Sequence, residues 1–269
     1  MTSTFASHQR WLLAQSGFAL YCSRDPADPT SGLYAARFID LMVEHKVASR
    51  NTAAAFLQEM QAYKFLQPSP DAPNRRTRPL EPTAVAIGGM MTWLTAHAAI
   101  LDHLDSGRRN ETIAAHPELL KLSQPKIAAG IVRSPNIRSP GTIFDLFGWA
   151  NSGSLIMDWL VANMQTGRSG GYTIPVTNIS FSDMSSRFLI SKTHLKRLFH
   201  KAADLGGLGW SGEPGRSEMW ISLGFFGEFR LYQAEKFAIV DKALGEAIEK
   251  AGFAPALPEP VGAPLSRHG

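Results

Sequence analysis

The sequence predicts a mainly helical α+β protein with small β-hairpins, built as two similar halves joined by long helices. Three observations carry that expectation. One stretch occurs twice: Ser49 to Leu66 reads SRNTAAAFLQEMQAYKFL, and Ser191 to Leu208 reads SKTHLKRLFHKAADLGGL. At an offset of 142, Phe56 faces Leu198, Leu57 faces Phe199, Tyr63 faces Leu205 and Leu66 faces Leu208. Each copy then runs into a turn-rich stretch, a short strand-like piece and a long helical piece. These are 71–78, 79–83 and 84–104 in the first half, and 211–216, 217–223 and 227–247 in the second. Finally, Leu195, Leu198, Phe199, Ala202 and Leu205 recur at i, i+3, i+4, i+7 and i+10, the apolar stripe of an inward-packed helix.

The elements follow in order. The first 22 residues make a poor signal peptide, because Gln15, Ser16 and Gly17 break the apolar run. Phe38-Ile39-Asp40-Leu41 matches Phe181-Ser182-Asp183-Met184 with the offset slipped by one. Residues 84–101 carry no formal charge and reach the lower edge of a membrane span. Their counterpart in the second half holds Glu228, Arg230, Glu235 and Lys236, so both are expected to be soluble-protein helices, the first buried between two layers. Residues 106–151 read as a linker with helix over 112–122 and 124–132, and with turns at Arg133-Ser134-Pro135 and Arg138-Ser139-Pro140. Leu155 to Met164 is predicted helical and is stopped by TGRSGG. Tyr172 to Val176 alternates as a strand. Ser182 is expected to cap a short helix to about Leu189, and Ser191 the next, over 192–205. No strand is evident before the matching pair in the first half. Trp93, Trp149, Trp159, Phe225 and Phe226 are expected to fill a core between the halves. The tail from Gly252 holds four prolines in 18 residues and is expected to be disordered.

The order in the second half is helix, strand, helix, tight turn, helix, strand, loop, strand, helix. It resembles a winged helix-turn-helix domain, and its trailing helix resembles those of MarR-like transcriptional regulators. The resemblance covers about 100 residues and rests on pattern rather than on a diagnostic motif. It implies that the third helix enters the major groove of double-stranded DNA and that the hairpin wing touches backbone or minor groove. It also implies a small-molecule effector, for which no residue is singled out.

Charge placement agrees. The chain carries a net +4 with 19% charged residues, which permits a polyanionic partner. Residues 187–201 hold Arg187, Lys192, Lys196, Arg197 and Lys201 with no acid. Ser191, Lys192, Thr193, Lys196, Arg197, His200 and Lys201, with Arg216 in the wing, form the DNA-binding set expected in the second half. In the first half the set is Ser49, Arg50, Asn51 and Thr52 at a helix start, with Arg75, Arg76 and Arg78 in a proline-flanked wing able to lie in a minor groove.

Enzymatic readings fit less well. Gly167-Arg168-Ser169-Gly170-Gly171 matches G-x-S-x-G, but a helix is expected before it and a strand after, the reverse of a nucleophile elbow. Gly207-Leu208-Gly209-Trp210-Ser211-Gly212 matches G-x-G-x-x-G in an equally reversed context. The single cysteine, Cys22, cannot form an intrachain disulfide, and the eight histidines show no metal-ligand spacing.

The expected organisation is a winged-helix domain with trailing helix over 1–107, a helical linker over 108–151, a second winged-helix domain with trailing helix over 152–251, and the tail over 252–269. The expected function is sequence-specific transcriptional regulation by a single-chain pseudo-dimer or a homodimer. Two recognition helices would lie about one DNA turn apart. No cofactor, metal, membrane or catalysis is expected, and the location is cytoplasmic, on the nucleoid. A tandem winged-helix replication initiator is the nearest alternative. A winged-helix protein-interaction scaffold is the alternative of a different class.

Overall fold

A computed structural model describes residues 5, 7–28, 30–70, 78–165, 167, 171–177 and 180–253. The fold is mainly helical with small antiparallel strand pairs. Its elements run α1 (His8–Cys22), α2 (Ala35–Glu44), α3 (Arg50–Ala62), β1 (Leu66–Pro68), β2 (Leu80–Pro82) and α4 (Ala84–Asp105). Next come α5 (Arg109–Ala115), α6 (Leu119–Arg133), α7 (Pro135–Arg138), α8 (Thr142–Gly148) and α9 (Gly153–Ala162). The chain continues through β3 (Thr173–Val176), α10 (Phe181–Phe188), α11 (Lys192–Asp204), β4 (Leu208–Trp210), β5 (Met219–Ser222) and α12 (Leu223–Ala251).

The repeated stretch folds the same way twice. Ser49 caps α3 by accepting from the Thr52 amide, and Ser191 caps α11 by accepting from the His194 amide. Both helices are 13 residues long. Each ends on a left-handed residue, Lys64 at φ 58° and Gly206 at φ 68°. The next amide returns to the helix in both, Phe65 to the Met60 carbonyl and Gly207 to the Ala202 carbonyl, each at 2.8 Å. Past the hairpins, the Thr83 amide donates to the Phe65 carbonyl and the Ser222 amide to the Gly207 carbonyl, each at 2.9 Å. The one-residue slip falls in the turn before the third helix. Left-handed Lys46 precedes Ser49 by three residues, whereas left-handed Leu189 precedes Ser191 by two.

The strands repeat as well. In the second half the sheet order is β3-β5-β4, all antiparallel, with Val176 opposite Met219 and Trp210 opposite the same Met219. In the first half β1 pairs with β2, and Leu33 forms a single bridge to Leu80 on the far side. That bridge is the strand the sequence did not betray. It is one residue long, so no alternation could announce it.

Two buried clusters form. The first gathers α1 to α4 and α6 with the end of α12 (Val240, Ala243, Leu244, Ala247). The second gathers α8 to α11 and β3 to β5 with Phe225 at the start of α12. Tyr232 packs against both. Residues 119–133, expected in a linker, are therefore central: Leu119, Ile127 and Ile131 of α6 are fully buried.

Several expectations need correction. The helix expected over 112–122 breaks at His116 (φ −133°, ψ 72°), because Pro117 pushes its predecessor out of helical geometry. Pro125 does not start a helix but lies inside α6. Pro135 is no mere turn; it starts the single turn α7 under a Ser134 cap, where its missing N–H costs nothing. Ser180, not Ser182, caps α10. The α4 helix is not buried between two layers: Val85 is 53%, Ile100 47% and Leu104 73% exposed, while Leu94, His97, Ala98 and Leu101 face the core. Among the described residues it is the one helix long and apolar enough to cross a membrane. Trp149 is 40% exposed, so the aromatics singled out from sequence do not form one core between the halves. The tail from residue 254, and Ser169 of the G-x-S-x-G match, lie outside the described residues.

Candidate nucleic-acid interface

The face presented by α11 follows from its N-cap and its stripe. Leu195, Leu198, Phe199 and Ala202 are buried, which leaves every residue of the second-half set on the surface. Helical spacing sorts these residues into two rows, Lys192-Lys196-His200 and Thr193-Arg197-Lys201, each at i, i+4 steps. Lys192, Lys196 and Lys201 form no ion pair with any described residue. Arg197 approaches His194 Nδ1 at 3.2 Å, and His200 lies 3.8 Å from Asp204.

The β4–β5 hairpin completes the site. The Ser211 amide donates to the Glu218 carbonyl at 2.9 Å, and the Gly212 amide to Ser217 Oγ at 2.9 Å, closing the hairpin. Gly215 sits at φ +79°, and a Cβ there would lie 3.0 Å from the Phe181 ring. Glycine is therefore required for the β4–β5 loop to fold back onto α10. A cleft of about 570 Å³ results between α10, α11 and the β4–β5 loop. Lys192, Lys196 and His200 line one wall, Arg216 the other, and Phe181 and Trp210 the floor. Arg216 is shared with Glu213 at 3.2 Å and stays exposed. From sequence Phe181 is expected only as a member of the repeat and Trp210 only as part of a hairpin strand, so neither is expected on the floor of a cleft.

The first-half counterpart differs. Ser49, Arg50, Asn51, Thr52 and Arg78 are exposed as expected, while Arg75 and Arg76 lie outside the described residues. Arg50 is held by Asp40 of α2 at 2.8 Å. Arg10 of α1 is held by Glu59 of α3 at 2.6 Å. Half one thus offers fewer uncommitted cations on its equivalent helix.

Ionisable groups also meet at the junction of the two cores. Burial lowers His8 to about 4 despite an opposing backbone hydrogen bond with Ile137, and its Nε2 has no partner among the described residues. Burial likewise lowers His97 to about 4, with the Lys236 charge adding to it. Lys236 is itself lowered to about 8 by burial against the pull of Asp158. Cys22 is pushed up to about 12 by burial, which makes it a poor nucleophile. Among the described residues no three His, Cys, Asp or Glu side chains gather as a metal site.

Both glycine motifs have reversed surroundings. Helix α11 leads into Gly207–Gly212 and strand β5 leaves, and α9 and β3 flank Gly167–Gly171 in the same order. No protein-family model, curated protein or solved structure matches this chain.

Proposed function

We propose that the chain binds double-stranded DNA through two winged helix-turn-helix heads and acts as a transcriptional regulator, with the second half as the principal reader. The observation that carries this is the cleft in which Lys192, Lys196, His200 and Arg216 converge from a helix and a wing. The sheet order with two helices inserted after its first strand supports the winged-helix reading in both halves. In this reading Arg197 and Thr193 reach base edges, the 192-196-200 row and Arg216 follow phosphates, and the first half anchors through Arg50, Asn51 and Arg78.

The test is binding to random duplex DNA across a salt series. Affinity should fall steeply, with log K linear in log salt at a slope of about −0.9 per phosphate neutralised. Absence of binding at low salt overturns the proposal. A protein-interaction scaffold is the second reading, favoured by the apolar surface of α4 around Val85, Ile100 and Leu104. It predicts no salt-dependent DNA binding.

A further inference from the structure

The matched hairpins place Ala86 of α4 where the second half has Phe225 of α12. Thr83 and Ser222 are the respective N-caps, and each target stands three residues later. The consequence is unequal. Phe225 is 1% exposed and packs edge-on to Phe147 with ring centres 5.5 Å apart. At Ala86 there is no ring, and a partly open cavity of about 380 Å³ lies between α1, α3, the β1–β2 pair and α4. Trp11, Phe18, Phe56, Met60, Met90 and Trp93 shape it.

We infer that this cavity is a binding site for a neutral, largely aromatic or hydrocarbon small molecule, created by the absence of the phenyl group that fills the same place in the other half.

The lining chemistry fixes the class. Among the described residues, no charged or histidine side chain borders the cavity. Among the described lining residues Gln15 has the one polar side chain outside the aromatic rings, and its Oε1 accepts from Gln124 Nε2 of α6. A ligand charge would lose its hydration with nothing to replace it. The volume falls in the range of ordinary small-molecule sites. Methionines 60 and 90 supply adaptable walls. At the matching position past the N-cap in the second half, Phe225 is a buried ring.

Two adjacent glycines make the inference testable. Gly89 lines the cavity and Gly88 does not, yet an added Cβ at either meets nothing within 4 Å. The experiment titrates full-length protein with the uncharged dye N-phenyl-1-naphthylamine, read by fluorescence, with its charged relative 8-anilino-1-naphthalenesulfonate in parallel. Expected are saturable binding of one neutral dye per chain and weaker binding of the sulfonate. Ala86→Phe and Gly89→Leu should each weaken the neutral dye about tenfold or more, while Gly88→Leu leaves it unchanged. Circular dichroism and Tm, unchanged or raised, show that the variants fold. Unsaturable dye binding by the full chain overturns the inference, as does retained affinity in folded Ala86→Phe and Gly89→Leu. Equal loss in Gly88→Leu also overturns it, because the dye would then sit on the outer face of α4 or displace a second copy there.

Discussion

Lys64 and Gly206 hold the same left-handed backbone, φ 58° and 68°, one residue past the caps of α3 and α11. A side chain there is strained by about 1 kcal/mol, and glycine is not. Lys64→Gly should therefore stabilise the protein by up to about 1 kcal/mol, and Gly206→Ala should destabilise it by about as much. Chemical denaturation midpoints with unchanged m-values check both. A loss of stability in Lys64→Gly would show that its side chain contributes more than the backbone strain costs.

Arg50 is committed to Asp40 on an exposed surface, 65% and 63% accessible. Such a pair contributes little to stability. Asp40→Ala should leave Tm nearly unchanged, tighten DNA binding and steepen the salt slope by about one phosphate. An unchanged slope would remove Arg50 from the interface.

Arg197 stands in the row that does not line the cleft. Arg197→Ala should cost about 1–3 kcal/mol on a preferred site and less on random duplex. Lys196→Ala should weaken all sequences alike and reduce the salt slope by about one. Competition between a selected fragment and random DNA separates these outcomes. Equal losses on both duplexes in Arg197→Ala would make that residue a phosphate contact.

His8 and His97 are neutral when folded, each lowered to about 4, against about 6.5 when unfolded. Between those values the unfolded chain binds more protons, so stability falls as pH drops from 6.5 toward 4. Each site is worth on the order of 3 kcal/mol over that window. His97→Gln should flatten the decline, measured as Tm at pH 7 and pH 5. An unaltered pH dependence would mean that His97 is solvated.

Arg109 joins Asp102, Asp105 and Asp241, tying α4 and α5 to α12. Asp102 and Arg109 are only 16% and 17% accessible. Arg109→Ala leaves that carboxylate half-buried beside two others and should cost about 2–3 kcal/mol at neutral pH. The cost should shrink as acid protonates the aspartates. A cost independent of pH would point to lost packing instead.

The repeat, both hairpins and the exposure of the second-half cations were legible because caps, glycines and apolar stripes act locally. Ser191, Gly206 and the Leu195-Leu198-Phe199 stripe each carry their own instruction. What failed was set by distant contacts. The Leu33 bridge depends on Leu80, and the burial of α6 depends on α1 and α12. The pairing of Arg50 with Asp40, and the floor that Phe181 and Trp210 give the cleft, appear only once the turn and wing are folded. The cavity at Ala86 was invisible for a related reason: an alanine in an apolar run gives no sign of the ring missing beside it.

Helix α12 begins in one core and ends in the other. Its 29 residues span about 44 Å at 1.5 Å each. Phe225 is sealed at one end, and Leu244 and Ala247 at the other. One unbroken helix thus links the two clusters. If both halves bind DNA as proposed, this shared helix links the spacing of α3 and α11. Half-sites moved apart by a few base pairs should lose the second head outright rather than be followed by it.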